Sequence, residues 1–289
     1  VVTSPSPTAL RRWIAYELRQ LRAQTGKSRE DAAKRIRKAT TQIGHLETGR
    51  NLPSAMDLEA LLNFYGQGDR AEFFMDLLVA AKKGTDWWQA LTLTGAVPEW
   101  FNLFLGLEAS ASMLESYDAQ VIPGLFQTEA YAEAVIRRAK PDISGDEVAR
   151  RVELRATRQA ILGRADPPHV WTVVDEAALR RSVGGLEVIG AQLDRLMELA
   201  ERPHIDIQVL PASAGAHTGL DGTFTILSFP PEFTFDPGVV YVQTRITGHY
   251  YEEPGEIAEY RNALTRLRIQ AISPEDSPLM IAQIAKELA

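Results

Sequence analysis

Apolar residues recur at helical spacing through the first part of the chain. Leu10, Ile14, Leu18 and Leu21 mark one face of a helix over 8–25, which Gly26 ends. Ser28 caps a second helix, and Asp31, three residues on, completes a capping-box pair. Its inward face is Ala32, Ala33 and Ile36, and the two alanines let another helix approach closely. A third helix starts near Thr40, turns Ile43 and Leu46 inward and closes at Gly49. Ser54 caps a fourth, whose apolar positions are Met56, Leu58, Leu61, Leu62 and Phe64. A fifth, over 69–83, has the stripe Phe73, Leu77, Leu78 and Ala81.

Beyond Asp86 the pattern becomes mixed. Helices are expected over 98–107, from the Thr128 cap to Ala139, and over the Arg- and Glu-rich stretch 146–162. Further helices are expected from the Asp175 cap to Val183, over 186–201, 256–272 and 278–288. In the 186–201 helix Ile189, Leu193, Leu196, Met197 and Leu199 point inward. Short β-branched runs read as strands at 113–121, 170–174, 205–210, 223–229 and 239–244, with PPEFTFDPG as a Pro-bounded turn between the last two. The expectation is an α/β or α+β protein. An all-α domain over 1–84 precedes a mixed domain over 85–289, a small sheet flanked by helices.

Charge divides the chain the same way. The net charge is −7 over 289 residues, yet 8–50 hold 11 Lys/Arg against 4 Asp/Glu. A basic head on an acidic body is the asymmetry that orients a protein on a polyanion. No cysteine is present, which excludes a disulfide framework or a Cys-ligated zinc site and fits a reducing cytoplasm. No apolar run is long enough to span a bilayer, and VVTSPSPT reads as a frayed polar lead-in without a signal pattern.

The run SREDAAKRIRKATTQIGHLETGRNLPS resembles the helix-turn-helix of phage-repressor-like (Cro/C1, or XRE) regulators. Ala33 stands at the tight crossing, Ile43 and Leu46 in the core, followed by Glu47, Gly49, Arg50 and Pro53. The resemblance covers about 8–66 and implies a lambda-repressor-like domain with the third helix in the major groove of double-stranded DNA. Thr40, Thr41, Gln42 and His45 would then face base edges, with Gly44 allowing close approach. Ser28, Arg29, Arg37, Lys38 and Arg50 would meet phosphates. Glu47 reads as the partner of Arg22 in a structural ion pair, in preference to a base contact. Thr40 reads equally as a helix cap, and His45 has the alternative of a solvated side chain. Two positions depart from the family pattern. Arg37 and Lys38 stand where a glycine and a small apolar residue are usual. Ala39 replaces the usual capping serine, which passes the cap to Thr40.

VIPGLFQTEAYA, RQAIL, VVDEAALRRSVGG and DIQVLP, followed by a GxF strand and VVYV, resemble the C-terminal domain of actinobacterial WhiJ-like regulators. Such regulators often pair with a small protein encoded nearby. No catalytic constellation stands out: there is no HExxH, phosphate loop or G-x-S-x-G. His45, His169, His204, His217 and His249 share no metal-ligand spacing. Asp175 and Glu176 read as a cap with a first-turn acid rather than paired carboxylates. The loop 215–222 reads as a connection, with a pocket wall as the alternative. Trp87, Trp88 and Trp100 read as interdomain core, with an apolar ligand wall as the alternative. Arg150, Arg151, Arg155 and Arg158, interspersed with Glu147 and Glu153, read first as a solvated face, with an acidic partner or a second DNA surface as alternatives.

The sequence therefore points to a cytoplasmic, non-enzymatic, DNA-binding transcription regulator. It would act as a homodimer on a pseudo-palindromic operator, without cofactor or metal, with a ligand or small protein as the signal. The competing reading is an antitoxin-like interaction module that chiefly binds a small partner protein.

Overall fold

The computed structural model describes residues 6–86, 88, 98–231, 233 and 236–288. The chain divides into two compact units, one of Thr3–Gln89 with Phe229–Asp236 and the other of Ala90–Ser228 with Pro237–Ala289.

The first unit is helical. α1 (Pro7–Gln24) is capped by the Ser6 hydroxyl, with Pro7 at its first position, where a missing N–H costs nothing. α2 (Arg29–Ile36) opens on the Ser28–Asp31 capping box and closes on Arg37 in the left-handed conformation. α3 (Thr40–Glu47) starts from Ala39 as N-cap, with no side-chain cap bond. The expected transfer of the cap to Thr40 does not occur, because Thr40 already has helical geometry as the first residue of the helix. α4 (Ala55–Phe64) is capped by Ser54, and α5 (Ala71–Lys83) follows a single 3-10 turn, Gly68–Arg70. Leu10, Trp13, Ile14, Leu18, Ala32, Ile43, Leu58, Leu62 and Phe74 form one core.

Two side chains depart from the expected pattern. Met56, in the first turn of α4, is 80% exposed, because the inward face begins at Leu58. On α5 the buried stripe is Phe74, Leu78 and Ala81 rather than Phe73 and Leu77, a shift of one position. The cause is Trp13: Phe74 stacks on its indole at 5.2 Å, leaving Phe73 edge-on at 5.8 Å and part-exposed.

The second unit is α+β. Its six-stranded sheet runs in the order β3-β2-β1-β4-β5-β6. The strands are β1 (Met113–Asp118), β2 (His169–Asp175), β3 (Ile205–Leu210), β4 (Phe224–Ser228), β5 (Val239–Gln243) and β6 (Gly248–Tyr251). β1, β2 and β3 are parallel, and β4, β5 and β6 continue the sheet antiparallel. The last strand carries no alternating apolar run, and the sequence pattern does not reveal it. Around the sheet lie α6 (Glu99–Ser110), α7 (Glu129–Ala139), α8 (Gly145–Gln159), α9 (Glu176–Arg180), α10 (Leu186–Ala200), α11 (Pro254–Gln270) and α12 (Ser277–Leu288). α8 is shorter than the expected 146–162 helix because its last turn tightens into a 3-10 turn over Ala160–Gly163. Among the described residues no helix is long and apolar enough to cross a membrane.

Candidate nucleic-acid interface

α3 has two faces. Ile43 and Leu46 are buried at 1% and 4% exposure, while Thr40 and Thr41 are exposed and Gln42 and His45 half-buried. A Cβ added at Gly44 would meet no atom within 4 Å, so the helix offers open space at that position. The C-terminal end is closed by the Thr48 hydroxyl, which donates to the Gly44 carbonyl, and by Gly49 in a left-handed conformation.

What holds this helix against its neighbours is Glu47, whose side chain is 2% exposed. Arg22 of α1 binds it in two-pronged fashion, Nε to Oε1 at 2.5 Å and an Nη to Oε2 at 3.1 Å. Arg29 of α2 donates to the same carboxylate at 2.8 Å. One buried carboxylate therefore ties three helices together through charge-assisted bonds. The bond to Glu47 holds the Arg22 guanidinium above its ordinary pKa, outweighing the opposing effect of burial. Burial, reinforced by the Glu47 charge, pushes the Tyr65 phenol well above its ordinary value.

The expected phosphate ligands differ in what they already hold. The Ser28 hydroxyl donates to Asp31 Oδ2 and accepts from the Asp31 amide, so it is engaged in the cap. Arg29 is half-exposed but shared with Glu47, and Lys38 pairs with Asp57 at 3.2 Å. Arg37 and Arg50 are exposed, and among the described residues neither holds a carboxylate.

A feature the sequence pattern does not reveal is the connection between β4 and β5, which forms part of the helical unit. Phe233 joins the core of that unit, and Asp236 binds Arg12 of α1 at 2.5 Å. The only sequence hint is a run of phenylalanines in a Pro-bounded turn.

In the second unit, polar groups gather at the C-terminal ends of β1 and β2. Asp118 is buried, and burial raises its carboxyl to about 6 against the opposing bonds from the Ser116 and Thr172 hydroxyls. Tyr117 donates to Asp175 at 3.0 Å, and His217 lies 3.9 Å from the same carboxylate. Gly219 has no room for a side chain, since a Cβ there would lie 2.3 Å from the Tyr117 ring. Asp175 also caps α9 by accepting from the Ala177 amide, while Glu176 is occupied by Arg180 and the Ala212 amide. The two carboxylates thus serve separate structural bonds. Among the described residues no group of three or more His, Cys, Asp or Glu could hold a metal ion.

The arginines of α8 are mostly taken up within the unit. Arg158 forks onto Glu108 with both bonds at 2.7 Å, Arg151 pairs with Glu147, and Arg155 donates to Gln127. Gln127, Gln159 and Gln192 clamp the loop 122–128 through its backbone. Trp88 is buried within the helical unit, and Trp100, half-buried in the second unit, accepts the Tyr250 hydroxyl on its carbonyl. Trp87 lies outside the described residues.

A helix-turn-helix domain model matches residues 13–73. A second model, described as a domain of unknown function (DUF5753), matches residues 101–283. No curated protein and no solved structure matches the chain. The helix-turn-helix domain suggests DNA binding, is consistent with a transcription regulator and points away from an enzyme. With one model spanning most of its second unit and the other the core of its helical unit, the chain belongs to the family defined by the DUF5753 domain and carries a helix-turn-helix domain ahead of it.

Proposed function

We propose that the protein is a sequence-specific transcription regulator of the Cro/C1 (XRE) type, close to the actinobacterial WhiJ-like group, acting in the cytoplasm. The observation that carries this reading is α3. Its polar side chains face outward, while Ile43, Leu46 and the Glu47 carboxylate anchor it inward. A helix held this rigidly can present Thr40, Thr41, Gln42 and His45 to base edges with little ordering left to do on binding. Arg37 and Arg50, with Arg29 and Lys38 near them in sequence, supply donors for phosphates, whereas the Ser28 hydroxyl and amide are spent on Asp31.

One such helix reads too few base pairs to find a site in a genome, so two copies are required. The N-terminal domain (1–84) reads DNA. The C-terminal domain (85–289) pairs two chains on a pseudo-palindromic operator and receives the signal of a ligand or a small protein partner.

Selection of duplexes from a random pool by the full-length chain tests this reading. The bound duplexes should contain two related half-sites, and sedimentation should give a dimer. Alanine at Gln42 or His45 should relax the preference, whereas alanine at Arg50 should weaken all duplexes alike. An unchanged preference after alanine replaces Thr40, Thr41, Gln42 and His45 together would show that another surface reads the sequence.

A further inference from the structure

Beside Gln42 the helical unit has an open trough of about 690 Å³. It is built from three places: the start of α1, the loop after α3 and the end of α5. Three cations converge on it. Arg50 and Asn51 come from the loop, Arg11 from α1 and Lys82 from α5. Arg11 is placed by contact with the loop. A Cβ at Gly49 would stand 3.8 Å from Arg11 Cγ, so the arginine stem runs directly beside the Gly49–Arg50 turn. Lys82 is placed by donating to the Pro53 carbonyl at 2.9 Å, which leaves further ammonium donors free. The one carboxylate in the trough, Asp86, is 4% exposed and accepts the Thr8 hydroxyl at 2.6 Å. Among the described residues neither Arg11 nor Arg50 holds a carboxylate, and the trough is net positive.

The trough continues directly from the outward face of α3 through Gln42. We propose that it is a phosphate-binding channel in which Arg11 and Lys82 join Arg50 and Asn51 in holding the sugar-phosphate backbone of the strand flanking the groove that α3 enters. This rests on the DNA-binding reading above and adds two contacts that the helix-turn-helix pattern alone does not indicate. The occupant is a phosphodiester backbone because the donors are point and fork cations on an open, polar surface continuous with α3. Contacts to the sugar-phosphate backbone carry no sequence information, so these donors add affinity and register rather than sequence preference.

The test is the salt dependence of binding of labelled duplex DNA by the full-length chain, with Arg11→Gln and Lys82→Gln compared with the parent. Each lost phosphate contact should make the slope of log affinity against log salt shallower by about 0.9. The ratio of parent to variant affinity should therefore narrow about 3.5-fold between 50 and 200 mM salt, equally for a selected and a scrambled duplex. Arg11→Lys and Lys82→Arg keep the charge and should restore most of the slope. If both Gln variants keep the parental slope while Arg50→Ala lowers it, the channel is wrong and the DNA-binding reading stands. If the parent binds no duplex at all, both readings fall. If Lys82→Gln weakens binding while leaving the salt slope at its parental value, the loss comes through the loosened Pro53 loop and the Lys82 contact is overturned.

Discussion

The ring of Phe233 lies 4.5 Å from the indole of Trp13, although 220 positions separate the two residues in the sequence. Phe233 is 7% exposed and sits in the same core as α1 and α5. Next to it Asp236 binds Arg12, with the two side chains 1% and 9% exposed. Arg12 in turn lies over the rings of Tyr16 and Phe229. The β4–β5 connection is therefore a structural component of the helical unit, acting on the helix whose Arg22 holds Glu47 of α3.

It follows that Phe233→Ala weakens the helical unit specifically. Truncating a core phenylalanine costs about 3 kcal/mol or more. Hydrogen exchange of the α1 and α5 amides should accelerate by more than a hundredfold, while amides of β1, β2 and β3 keep their protection. Uniform loss of protection in both units, or none, would contradict this assignment.

Glu47→Gln should separate stability from recognition. The substitution removes the charge that Arg22 and Arg29 share, and breaking a buried pair from one side costs about 3 kcal/mol. The carboxylate is almost completely shielded from solvent, so the bases preferred in selection should not change. Denaturant midpoints and selected sequences measure the two effects independently. A changed preference with unchanged stability would place Glu47 at the groove instead.

The buried Asp118 predicts an inverted pH response in the second unit. Its folded carboxyl titrates at about 6, above the ordinary value of 3.8. The folded state therefore holds the proton more tightly than the unfolded chain does. The destabilisation is absent below about pH 4, grows as pH rises toward 6 and is fully present above it. Two pH units correspond to about 3 kcal/mol at most. Asp118→Asn, which can keep the Ser116 and Thr172 hydroxyls as partners, should be more stable than the parent at pH 7 by up to that amount. The difference should shrink toward pH 4, read by urea denaturation at both values.

Much of this fold is visible in the sequence where local chemistry decides it. Ser28, Ser54, Thr128 and Asp175 cap the helices that they introduce, because a hydroxyl or carboxylate reaching the second or third amide is a short-range event. The outward and inward sides of α3 follow from a 3.6-residue period. Long-range packing is invisible to such reasoning. The inward face of α5 is chosen by Trp13, sixty residues away in sequence, and not by its own pattern. Phe233 needs a partner on α1 to become core, and β6 needs β5 to become a strand. The candidate DNA surface divides in the same way. Gln42 and Arg50 announce themselves through the motif, whereas Arg11 and Lys82 reach the trough only through the packing of α1 and α5.

Arg37 should give opposite signs for stability and affinity. It is the only non-glycine residue with positive φ among those described, at 56°, and it closes α2 in the left-handed conformation that favours glycine. The left-handed conformation costs an L-residue about 1–2 kcal/mol, part of which glycine returns as greater freedom in the unfolded chain. Arg37→Gly should therefore stabilise the helical unit by about 0.5–1 kcal/mol, seen as a raised denaturant midpoint. The same change removes an exposed cation beside α3. DNA affinity should fall alike for all sequences, and the salt slope should become shallower by about 0.9. A stabilised variant with unaltered salt slope would mean that Arg37 points away from the phosphates and that its side chain serves solubility alone. A destabilised variant would mean that contacts of the arginine stem outweigh the strain of its backbone.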